Sequence, residues 1–200
     1  MTLPEHWAAP EDFAALFQYF WHRDFPVDQR ATAAKRADWT IHIGVVVRNI
    51  ADLMGLKARF ESGGRTDAVL RSWEGDEIAV EWEWGGVRGN ELDKLRDPRN
   101  VWKRGKDAPK QLKYAVLITY SQTQHVDKAY EHVKERWEKA PWPLLLILID
   151  FRKSRKFSSG REFKNINISV FDSSGRRDLR AAPAFPWNVE DSCWANKPSE

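Results

Sequence analysis

The 200-residue sequence has one cysteine, Cys193, and two methionines. A single cysteine excludes an internal disulfide framework and a zinc site built from several cysteines. Long apolar runs are missing as well. The longest, Leu144 to Ile149, falls far short of the ~20 residues that a membrane-spanning helix needs. Gly63-Gly64 and Gly85-Gly86 lack the lysine and the spacing of a phosphate-binding loop. Neither sign of charge dominates, with 32 Lys and Arg against 29 Asp and Glu and a net charge of +3. The first ten residues contain Glu5, His6 and two prolines, which does not read as a signal peptide. These absences lead us to expect a soluble, cytoplasmic protein without membrane partners.

Apolar residues make up 42% of the chain, enough for one core at this length. Eleven tryptophans are present, a residue suited both to cores and to stacking on bases. Charge is segregated. Between Phe151 and Asn165, Arg152, Lys153, Arg155, Lys156, Arg161 and Lys164 face only Glu162. Between Glu74 and Glu83 there are five acidic residues and no basic one. A basic and an acidic stretch on one small domain suit a protein that holds a polyanion beside a metal ion.

Periodicity predicts a helix over Glu11 to Trp21, from Phe13, Leu16, Phe17 and Phe20. A second helix follows, with Ile43, Val46, Val47, Ile50 and Met54 on one stripe and a break near Ile41. Three short strands are expected at Lys57 to Glu61, Thr66 to Ser72 and Ile78 to Trp84, joined by tight turns as antiparallel hairpins. Next come a helix over Asn90 to Arg96, a strand over Tyr114 to Tyr120 and a helix over about Thr123 to Lys139. Strands at Leu144 to Asp150 and Glu162 to Phe171 complete the pattern, the first buried on both faces. The expected fold class is α/β, a mixed β-sheet of about five to six strands flanked by helices. Residues 1–172 form one domain in this reading, with N-terminal helices within 11–57 and a core over 41–171. Residues 173–200 read as a C-terminal loop or tail, with Pro183, Pro186 and Trp187 packing back.

The most informative stretch runs from Asp67 to Glu83. On a strand, Glu81 and Glu83 share one face and Ile78, Val80, Trp82 and Trp84 the other. Closing the hairpin at Gly75 places Asp67 opposite Glu83 or its neighbourhood, with Glu81 diagonal. Glu61, at the end of the first strand, adds a fourth oxygen donor. Hard oxygen donors gathered in this way suit Mg²⁺ or Mn²⁺.

Asp67, then Glu81-Trp82-Glu83 fourteen residues on, between a helix and three strands on one side and a helix and strand on the other, resembles the PD-(D/E)XK nuclease superfamily. The resemblance covers roughly Ile41 to Phe151 and implies a restriction-endonuclease-like αβββαβ core. Two positions depart from the pattern: Thr66 stands where proline is common, and Glu83 holds the lysine position. The resemblance implies that Asp67 and Glu81 ligate the metal. Glu83 would hold or deprotonate the attacking water or bind a second ion, and Lys94 of the next helix would supply the missing cation. Arg152, Lys153, Arg155 and Lys156 after one strand, and Lys103 and Arg104 beside Trp102, are expected to grip phosphates. The function expected is metal-dependent hydrolysis of DNA phosphodiester bonds, in restriction, repair or anti-phage defence. The alternative is a catalytically inactive nuclease-fold module that binds nucleic acid or a partner protein. A homodimer or partner protein could supply specificity in either case.

Overall fold

Phe13, Phe17, Phe20 and Trp21 fall on one face at helical spacing, and they form the buried side of α1 (Pro10–Arg23). Pro10 opens this helix at a position where its missing N–H costs nothing. The second helix, α2 (Arg36–Leu53), is continuous through Ile41, where a break was expected. Val46 and Val47 are fully buried, and that packing outweighs the weak helix propensity of the valine run. The computed structural model describes residues 8–26, 36–62, 66–153 and 161–189.

After α2 the chain forms β1 (Lys57–Ser62), β2 (Thr66–Arg71) and β3 (Asp76–Glu83), then α3 (Gly89–Leu95) and β4 (Tyr114–Gln122). It continues through α4 (Val126–Trp137), β5 (Leu144–Lys153), β6 (Arg161–Asp172) and β7 (Gly175–Pro183). All seven strands make one sheet in sequence order. β1, β2 and β3 pair antiparallel, β3 to β5 parallel, and β5 to β7 antiparallel again. The architecture is α/β with a mixed sheet, as expected, but the sheet has seven strands rather than five or six.

The extra strand is β7, in the segment expected to be loop or tail. Its sequence, Gly-Arg-Arg-Asp-Leu-Arg-Ala-Ala-Pro, has almost no apolar alternation because its residues are mostly exposed at a sheet edge. Charged side chains on an edge strand also discourage pairing with another chain. Beyond it, Ala184 and Phe185 are buried and Trp187 packs on the core, as expected for the end of the domain.

Helices cover both faces of the sheet. α1 and α2 lie over Leu70, Val80, Val116, Ile147 and Ile168, with Trp21, Trp39 and Phe163 in ring contact. α3 and α4 cover the opposite face over Val69, Ala79, Leu117 and Leu146. β5 is buried from Leu144 through Phe151, and each fully buried large apolar side chain contributes about 1.5–3 kcal/mol. No helix among the described residues is long and apolar enough to cross a membrane.

Tryptophan donors fasten the pieces that position the site. Trp142 Nε1 donates to Leu95 O at 3.0 Å and Trp137 Nε1 to Trp142 O at 2.9 Å. These bonds tie the end of α3 to the end of α4. Trp21 Nε1 donates to Ala184 O at 2.8 Å, joining α1 to the chain after β7. Buried indoles need such acceptors, so each bond fixes geometry as well as offsetting desolvation.

Candidate active site

The hairpin of β2 and β3 sets the geometry. Ala68 pairs with Val80, Val69 with Ala79 and Leu70 with Ile78, then the register shifts so that Arg71 pairs with Asp76. Continued by one residue, this register puts Asp67 opposite Glu81 rather than Glu83. The expected alignment is corrected by two residues: the turn is centred between Trp73 and Glu74 rather than on Gly75, which alone would put Val80 opposite Asp67, and a bulge at Glu77 on β3 brings Glu81 there instead. The change brings the two carboxylates closer together than the sequence suggested.

Asp67 and Glu81 project from the sheet face that α3 covers. Asp67 is half-buried, and its Oδ2 accepts the Trp82 backbone N–H at 2.8 Å. Glu81 is 2% exposed, and its Oε1 has no hydrogen-bond partner among the described residues. Lys94 of α3 reaches in from above, its Nζ 3.7 Å from Glu81 Oε2 and 2.6 Å from Glu91 Oε2. The structure therefore brings Asp67, Glu81 and Lys94 together.

Glu91 belongs to the same cluster and is buried. It is not among the residues that the sequence singled out. The available signal was its spacing: Glu91, Lys94 and Leu95 sit at i, i+3 and i+4 and so share one arc of α3. Since Leu95 is a core residue, the arc faces inward and carries Glu91 with it.

The electrostatics follow from burial. Burial pushes the Glu81 carboxyl up to about 9, the charge of Asp67 and the nearby Glu91 adding to the effect and Lys94 opposing it. Burial also raises Asp67, against the Trp82 N–H bond, its contact with Glu81 and the Lys94 charge. For Lys94, burial works in the other direction. The Glu91 hydrogen bond and the charges of Glu81, Glu91 and Asp67 outweigh it and hold the ammonium above its ordinary range. At neutral pH the cluster therefore keeps a proton on Glu81.

Glu83 stands apart from this cluster. Its Oε1 accepts the Gly85 N–H at 2.6 Å, and Arg88 Nη2 lies 4.0 Å away. Glu83 and Asp67 nevertheless line one cavity of about 160 Å³ with Trp39, Trp82, Trp84 and Tyr120. Glu61 does not join them as a fourth donor: it is exposed, and its backbone is left-handed with φ of 51°. Among the described residues, no three acidic, histidine or cysteine side chains form a ready-made metal cage. Mg²⁺ seldom uses one. It keeps several waters and binds one or two carboxylates together with substrate phosphates. Two adjacent carboxylates, one with an orphaned oxygen, fit that habit.

The basic residues divide. Arg152 and Lys153 are exposed at the end of β5, the same end of the parallel strands as Glu83. Arg155 and Lys156 lie outside the described residues. Lys103 is drawn into an ion pair with Glu77 at 3.4 Å and is mostly buried, so the structure does not present it as a free phosphate grip. Arg104 is exposed and stacks over Trp73 at 4.2 Å.

No protein-family model matches this chain, and no curated protein matches it in sequence.

Proposed function

We propose that the protein is a divalent-metal-dependent nuclease of the restriction-endonuclease-like class, hydrolysing DNA phosphodiester bonds. The observation that carries the reading is the buried Glu81 Oε1, without a hydrogen-bond partner among the described residues, beside Asp67, with the Lys94 ammonium 3.7 Å from the other Glu81 oxygen. An acid, a second acid and a cation on two adjacent strands and the following helix form the constellation that the PD-(D/E)XK resemblance implies. The order α2, β1, β2, β3, α3, β4 also follows the αβββαβ order.

Asp67 and Glu81 would hold Mg²⁺ or Mn²⁺, which when bound supplies water of lowered pKa and a counter-charge for the phosphate. The Trp82 N–H, bound at Asp67 Oδ2, fixes the orientation of that carboxylate. Lys94 would supply from the helix the cation that the family pattern carries on the strand, and its charge favours the ionised forms of Asp67 and Glu81. Glu91 holds the Lys94 ammonium in position. Arg152 and Lys153 supply phosphate contacts at the same end of the sheet.

A second reading, a nuclease-fold module that binds nucleic acid without cutting it, draws on one observation. Glu83, in the motif's lysine position, is engaged by the Gly85 N–H rather than free. Cleavage separates the two. With Mn²⁺ or Mg²⁺, the purified protein is expected to cut supercoiled or single-stranded DNA, and Asp67→Ala to lose on the order of 10³-fold or more of that rate. Binding without cleavage by the wild type would favour the module. Equal cleavage by wild type and variant would remove Asp67 from the site.

A further inference from the structure

A groove of about 590 Å³ lies at the far end of β2 from the carboxylates, and the proposed function does not use it. Lys57 and Arg59 of the edge strand β1, and Arg71 of β2, form its floor. Trp73, Trp102 and Arg104 stand at its rim. Among the described residues that line it, none is acidic.

Two features set this surface apart from ordinary surface charge. Trp73 is 76% exposed and Trp102 48% exposed, whereas most other tryptophans among the described residues are buried or half-buried. Each exposed indole also has a guanidinium over its ring: Arg104 Cζ is 4.2 Å from the Trp73 centroid, and Arg71 Cζ is 4.5 Å from that of Trp102. An indole stacked on one side and exposed elsewhere is a platform for a further flat ring.

The platforms are held firmly. Asp76 Oδ1 accepts Arg71 Nε at 2.6 Å, and Asp76 Oδ2 accepts the Trp102 backbone N–H at 2.8 Å. Arg104 N donates to Glu74 O and Asp76 N to Trp102 O, each at 2.8 Å. Gly75, at φ of 145°, lets the β2–β3 turn meet the segment at Trp102 and Lys103: a Cβ there would come within 2.5 Å of Trp102 O. A preorganised aromatic surface loses little freedom when a ligand docks.

We propose that this groove binds single-stranded DNA, stacking bases on Trp73 and Trp102 and neutralising phosphates with Lys57, Arg59 and Arg104. Exposed aromatic faces select unstacked bases, which a duplex keeps inside its stack, while the cationic floor tracks the backbone. Asp67, Val69 and Arg71 alternate onto one face of β2, so groove and carboxylates are about 13 Å apart on the same side of the sheet. Resting on the nuclease reading, the groove names its substrate: a strand laid from the tryptophans towards Glu81.

The test is anisotropy of a labelled oligothymidylate of about 15 nucleotides, with the full chain in EDTA so that cleavage plays no part. Trp73→Ala is expected to weaken binding about tenfold and Trp73→Phe to restore most of it, since phenylalanine keeps a stacking face. Arg59→Ala should lower the slope of log affinity against log salt by about 0.7. A matched duplex should bind more weakly than the single strand. Wild-type affinity in both Trp73→Ala and Trp102→Ala overturns the proposal. So does tighter capture of the duplex, or of oligouridylate RNA. Groove binding with no metal-dependent cleavage would fail the nuclease reading alone. Cleavage with unaltered binding in the tryptophan variants would fail the groove alone.

Discussion

Glutamine in place of Glu81 is expected to stabilise the protein, measured without added metal, and to abolish the DNA cleavage proposed for it. Folding raises the Glu81 carboxyl from about 4.5 to about 9. A carboxyl raised in this way leaves folding unpenalised below its unfolded pKa. As pH rises past that value, the unfolded chain releases the proton and the folded one keeps it, so stability falls until the pH exceeds the folded pKa. The penalty therefore grows from about pH 4.5 and levels off near pH 9. At pH 7 it is on the order of 3 kcal/mol. Glu81→Gln does not titrate, so its stability curve should be flatter over that window. Its thermal midpoint at pH 7 should lie higher by roughly 5 °C or more. Denaturant unfolding of both proteins between pH 5 and 9 measures this directly. Parallel curves for the two would mean that Glu81 is not the strained group. Few substitutions at solvated carboxylates combine a gain in stability with a loss of activity, and the combination marks a residue held against its preference for function.

Lys94→Met carries the second large effect. Its ammonium lies among Asp67, Glu81 and Glu91 and lowers the pKa of the first two. Removing the charge makes both acids harder to ionise, so the acid limb of the pH–rate profile should move to higher pH. The rate at neutral pH should fall on the order of 10²–10³-fold. Lys94→Arg keeps the charge and should return the limb towards its wild-type position, even if the bulkier group lowers the maximum. A purely structural role predicts a lower rate with the limb unmoved. The pH profile, rather than the rate alone, decides between the two.

How legible the site was depended on what each signal encoded. Alternation along β3 correctly placed Glu81 and Glu83 on one face, because strand period depends only on covalent geometry. Pairing with β2 was harder, since register is decided by where the turn begins and where a bulge falls. The turn is centred between Trp73 and Glu74 rather than on Gly75, and the extra β3 residue, Glu77, offsets part of that shift, so Asp67 meets Glu81 instead of Glu83. Glu91 was missed because a short helix with an acidic first turn looks capped from sequence alone. Only the inward placement of Leu92 and Leu95 shows which way its side chain goes. The core strands β4 and β5 were legible as apolar runs, being buried on both faces. β7 was not, because an edge strand exposed along most of its length carries arginines where a central strand carries valines. The tryptophan count alone did not show which of them pack and which face solvent: Trp21, Trp39, Trp137 and Trp142 are buried, while Trp73 and Trp102 are exposed.

Whether Asp67 and Glu81 form the proposed divalent-metal site is decided by calorimetric titration of the protein with Mn²⁺ at pH 7. Repeating the titration in buffers of different ionisation enthalpy counts the protons released. One site per chain is expected, with release of about one proton, the one held by the buried Glu81, and loss of both signals in Glu81→Gln. Absence of binding, or binding that Glu81→Gln leaves unchanged, would contradict the proposed site.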